Sequence, residues 1–132
     1  MTTNVEVLIV DALNSGLGLQ VLKHPDQDTL EAFLDVPAGS PTKPKPVRFV
    51  TVERTGGAER DLVDRPVLAV QFWAEDRLAA SQGAHALALL LEALPVRVPL
   101  LGRCRVESIY NFPDGRQPRY QLVVAATTVR GA

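Results

Sequence analysis

The sequence predicts an α+β fold: one domain, a mainly antiparallel sheet of four to five strands, and two helices packed on it. Three observations predict it. Pairs of runs rich in Val, Phe, Tyr and Trp, at about 47–75 and 103–130, are each joined by a polar turn and read as two hairpins. Stretches at about 4–15 and 76–94 carry apolar residues at helical spacing. The chain of 132 residues, 46% apolar and 22% charged, has the length and composition of a single globular domain, 1–132, with a core that needs no staples.

The first helix is expected at about 4–15. Thr3 followed by Glu6 has the spacing of a capping box. Val5, Leu8, Ile9, Ala12 and Leu13 form one stripe, and Gly16 and Gly18 supply stop signals. Val7 and Val10 fall on the opposite side, so the apolar arc is wider than one core contact needs. Residues 19–22 read as a short strand. His24-Pro25 breaks regular structure, and 26–35 reads as one or two helical turns or an irregular excursion. Residues 36–46, VPAGSPTKPKP, form a proline-rich loop or arm. Its four prolines lack ladder donors and favour extended backbone. Lys43, Lys45 and Arg48 make a small basic cluster there.

The hairpin at 47–75 organises the chain. Val50 and Val52 alternate with Thr51 and Glu53, as on a strand with one wetter face. The segment 55–64, TGGAERDLVD, reads as a long polar turn, with Gly56 and Gly57 free to take positive φ. Pro66 is expected at the start of the returning strand. Both faces of that strand are largely apolar, which predicts a central position. Asp76 and Pro95 bracket the second helix as N-cap and stop. Its stripe is Ala80, Ala84, Leu87, Leu91 and Leu94, while Leu78 and Leu89 fall on the outer face. In 103–112, Cys104, Val106, Ser108, Tyr110 and Phe112 alternate with Arg103, Arg105 and Glu107. PDGR at 113–116 is a turn, and 119–130 is the closing strand.

Catalytic signals are thin. Ser81 and His85, four apart on the second helix, with Glu92 two turns on, could form a nucleophile pair and an orienting acid, but no oxyanion donors are indicated. Asp61, Asp64, Glu75 and Asp76 could offer oxygen ligands to a divalent ion, without EF-hand spacing. Cys104 reads as a buried thiol. The expectation is a non-enzyme with no metal and no cofactor. A formal charge of −1 gives no drive toward nucleic acid or anionic membrane. The single cysteine points to no oxidising compartment, the opening residues lack the basic start of a signal peptide, and ALALLLEALP is too short to span a bilayer. A soluble protein assembled in the cytoplasm is expected. Surplus apolar surface on both helices, an arm and a polar hairpin tip fit an assembly subunit.

RFVTVERTGG, then DRPVLAVQFWAED and an alanine-rich helix, resembles the tail terminator proteins of long-tailed phages, those of actinobacterial siphophages above all. The closing RYQLVVAATTVRG and the opening MTTNVEVLIVDAL fit the same pattern. Segment 24–46 is longer than the family leads one to expect. The resemblance implies a mixed or antiparallel sheet flanked by helices and a homo-oligomeric ring, usually a hexamer. That ring caps the tail tube, ends its growth, and joins the tail to the capsid neck. It implies no enzymatic activity. Its partners would be the tail tube protein and a neck or head-completion protein, with DNA passing through without sequence-specific binding, in the virion. A head-closure or stopper protein is the alternative, and a small hydrolase or metal-dependent enzyme a remote one. The residues expected at subunit contacts are Arg54, Thr55, Gly56, Gly57, Glu59 and Arg60 at the hairpin tip. Lys43 and Lys45 in the arm, and Val7, Val10, Leu78 and Leu89 on the helices, complete the set.

Overall fold

The computed structural model describes residues 4–60 and 63–129. In chain order they form α1 (Val5–Ser15), a 3-10 turn at Gly18–Leu22, β1 (Ala32–Phe33), β2 (Phe49–Arg60), β3 (Val63–Trp73), α2 (Arg77–Ala93), β4 (Leu101–Asn111) and β5 (Arg119–Val129). The fold is the expected α+β domain, with one five-stranded mixed sheet in the order β1-β2-β3-β5-β4. Among the described residues only β1 and β2 pair in parallel. β3 is central, as its two apolar faces predict. Because β5 is antiparallel to both β3 and β4, those two strands run the same way with β5 between them and α2 as their connection. This is a split β-α-β unit.

Both helices cover one face of the sheet. Val5, Ile9, Ala12 and Leu13 of α1 and Ala80, Ala84, Leu87 and Leu91 of α2 are buried against Val50, Val52, Leu68, Val70, Phe72, Leu122 and Val124. Leu94, just past α2, joins them. Gly83 lets α2 approach closely: a Cβ there would lie 2.2 Å from the Phe72 ring. Asp76 caps α2 by accepting from the Ala79 N–H at 2.7 Å, as its position predicts.

Several elements depart from expectation. The N-cap of α1 is Asn4, whose Oδ1 accepts from Val7 N at 3.2 Å; Thr3 lies outside the described residues. The expected strand at 19–22 is a 3-10 turn, seated by buried Leu19. Within 26–35 the only regular element is the parallel strand β1. Leu30, just before it, and its own Ala32 are held by the side chains of Gln20 and Asn14, which bond their backbone groups at 2.8–3.1 Å.

The long turn at 55–64 is instead mostly ladder. β2 and β3 pair from Phe49↔Trp73 to Arg60↔Val63, with an irregularity between Arg54 and Gly56. Gly57, at φ +104, sits so close to β3 that a Cβ would be 2.2 Å from the Arg65 carbonyl oxygen. Glycines that resemble a turn in sequence here accommodate a bulged strand. Pro66 lies inside β3, and the β3–β5 ladder passes from Asp64↔Thr128 to Val67↔Ala125 without pairing at it. In β4, register shifts after Leu101 and after Val106 break the simple alternation. Cys104, Val106 and Ile109 pair with the helix-side residues Ala126, Val124 and Leu122, whereas Tyr110 pairs with Gln121 on the other face.

Candidate functional site

The face of the sheet away from the helices carries the most organised polar structure. A row crosses four strands in register: Thr51↔Gln71, Gln71↔Gln121 and Gln121↔Tyr110. The side chains bond along it in one sense. Trp73 Nε1 donates to Thr51 Oγ1 (3.0 Å), Thr51 Oγ1 to Gln71 Oε1 (2.6 Å), Gln71 Nε2 to Gln121 Oε1 (2.8 Å), and Gln121 Nε2 to the Tyr110 hydroxyl. Bonds aligned head to tail polarise one another and fix each rotamer. One row toward the arm, Phe49 stacks on Trp73 with ring centroids 5.2 Å apart. Arg119 lies 4.8 Å over Trp73 and 4.6 Å over Phe112. Trp73 is thereby 1% exposed although no helix covers it.

The arm closes over this end. Lys45 Nζ lies 5.4 Å from the Phe49 centroid and 5.8 Å from that of Trp73, and donates to Gln117 Oε1 at 2.8 Å. Residues 34–36 on one side and Phe112 and Asp114 on the other border a groove of about 530 Å³ floored by Thr51, Gln71 and Gln121. A second hollow of about 670 Å³ lies between the arm and residues 26–33. Lys43, expected at a contact, lines that hollow and is exposed.

The expected contact residues do not form one patch. Arg54 holds Asp64 in a bidentate pair at 2.6 and 2.8 Å, Asp64 being 1% exposed, and its Nε bonds the Gly56 carbonyl. Thr55 is exposed with its hydroxyl on the Val67 carbonyl. Gly56, Gly57, Glu59 and Arg60 are ladder residues of β2. Val7 is exposed, whereas Val10 packs partly on the core. Leu78 and Leu89 are 67% and 71% exposed on α2.

The candidate catalytic groups are drawn apart. The His85 ring bonds the Ser81 carbonyl oxygen rather than its hydroxyl, at 2.8 Å, and Glu92 accepts from the Val106 N–H. Of the acids, Asp64 pairs with Arg54 and Asp76 caps α2. Glu75 makes a bidentate pair with Arg48 at 2.7 and 2.8 Å, and Asp61 is outside the described residues. The Arg48 guanidinium, by hydrogen bond and charge, holds the Glu75 carboxyl down to about 2, against partial desolvation. His24 Nε2 stands 3.7 Å from the same carboxylate. Burial pushes the Cys104 thiol up to about 12, with Glu92 adding to the rise. Among the described residues no group of three or more His, Cys, Asp or Glu is placed to hold a metal ion.

The polar row was not anticipated from sequence. Its one sequence signal is a glutamine inside each of two otherwise apolar runs, VLAVQFW and YQLVV. Pairing register, which sequence does not carry, is what brings the two together. No helix among the described residues is long and apolar enough to cross a membrane. No protein-family model matches the chain, and no curated protein matches it.

Proposed function

We propose that this chain is a tail terminator: a structural subunit of a homo-oligomeric ring that caps a phage tail tube, ends its growth and forms the tail-side surface of the neck. One observation carries the reading. The residues that bear the resemblance, 48–57 and 64–76, form a single continuous unit, the β2–β3 hairpin and the cap of α2. That unit leads directly into a helix whose Leu78 and Leu89 stand in solvent, as a subunit surface requires. The near-zero formal charge suits DNA passing through a ring without tight binding. The partners in this reading are further copies of the chain, the tail tube protein and a neck protein, in the virion.

The test is direct. Purified chain is added to polymerising tail tube protein and viewed by electron microscopy. Rings seated at one end of length-limited tubes are expected. A chain that stays monomeric by light scattering in the presence of tube protein, with tube ends bare, overturns the reading. Binding to the portal side instead would assign it to head closure.

A further inference from the structure

We infer that the open face of the sheet is a self-complementary surface on which two copies of this chain pack across a twofold axis. An antiparallel sheet with helices on one side leaves its other face to water or to a partner. Here that face is electrically polarised along a diagonal. At the β2 corner, the groove over the polar row is bordered by three carboxylates, Glu6, Asp35 and Glu53, while Asp114 and Arg119 border it at the β4–β5 turn. Arg119 is already engaged by the Trp73 and Phe112 rings and the Phe112 carbonyl. At the opposite corner a shallow hollow of about 370 Å³ is bordered by Arg65, Arg103 and Arg105 against one carboxylate, Glu107. All three arginines are exposed.

Between the corners the face is small and apolar: Val67, Ala69, Val123 and Ala125 occupy neighbouring register positions on β3 and β5. A twofold rotation about this centre lays the acidic corner of each copy on the basic corner of the other. One geometry satisfies both charge sets twice and crosses the two sheets at near right angles. A twofold along the acid-to-base diagonal would instead set like charges together, so charge selects the other diagonal. A second copy is thus the occupant whose charge pattern is given by the surface itself. The inference stands independently of the ring reading, and it leaves Leu78 and Leu89 free.

Sedimentation velocity on the full chain tests it. Wild type should dimerise, and more weakly as salt screens the corners. Arg103→Glu with Arg105→Glu, and separately Glu53→Arg with Asp35→Arg, should each raise the dimer Kd by about tenfold or more. An equimolar mixture of the two variants should regain tight association, a rescue that misfolded chains would not give. Variants that associate like wild type, a mixture no tighter than its components, or a wild type that stays monomeric would each overturn the proposal. Variants that associate face to face as tightly as wild type and still seat as rings on tube ends would overturn the face pairing and leave the ring standing. Dimers that obey the charge reversals but never seat on tube ends would sustain the pairing and sink the ring.

Discussion

Gly83 shows how a single missing methyl sets the distance between layers. Alanine there would gain about 1 kcal/mol of helix propensity. Its Cβ, however, would stand 2.2 Å from a fully buried Phe72 ring, and overpacking of that kind costs roughly 1–3 kcal/mol. The clash wins, so Gly83→Ala should lower the melting temperature, and Gly83→Val should lower it further. Glu75 gives a second residue-scale test. Its carboxyl is held near 2 in the fold against an ordinary value of 4.5. A depressed carboxylate stabilises above its unfolded value and loses that contribution as pH falls through the folded one. The stability gap between wild type and Glu75→Gln should therefore be present at neutral pH. It should amount to no more than about 1 kcal/mol for a pair this exposed to solvent, and close as pH drops from about 4.5 to about 2. A gap that persists in acid would contradict the pairing. The Cys104 thiol, raised to about 12 by burial, should resist alkylation in the folded chain and react only on unfolding.

At the scale of elements, each long edge of the sheet is met by a helix glutamate. Glu6 of α1 accepts from the Arg54 N–H on the outer side of β2, and Glu92 of α2 accepts from the Val106 N–H on the outer side of β4. Open edges invite pairing with other chains, and these carboxylates occupy one donor on each. Glu6→Ala and Glu92→Ala should speed hydrogen exchange at Arg54 and Val106 respectively and make the chain more prone to aggregate. Beyond the bulge, the Arg54–Asp64 pair ties β2 to β3. Arg54→Ala leaves a buried carboxylate short of a cation and should cost about 3 kcal/mol, seen as a lower denaturant midpoint. The elements that sequence revealed are those whose pattern repeats locally: the stripe of α2 between Asp76 and Pro95, and the alternation of Val50, Val52, Leu68, Val70 and Phe72. The elements it hid depend on a distant partner. β1 exists because Gln20 and Asn14 hold its flanks beside β2. Gly56 and Gly57 read as a turn because nothing nearby tells of the strand they pass. The two irregularities of β4 turn Tyr110 toward Gln121, and with it much of the candidate surface became visible only in three dimensions.

For the whole molecule, the strand order β1-β2-β3-β5-β4 has a consequence in time. Synthesis runs from the N-terminus, and β3 and β4 both leave the ribosome before the strand that joins them. Until residues 119–129 emerge, the β2–β3 hairpin and β4 share no ladder, and the polar row lacks its link at Gln121. Folding of this domain is thus withheld until β5 is available, since distant pairings must close before they stabilise anything. A chain stopped after residue 118 should remain unfolded by circular dichroism, and adding a peptide of residues 119–129 should restore structure to it. The same delay keeps any surface that recognises another copy unfinished until residues 119–129 have emerged, so that association begins only between chains that already hold β5.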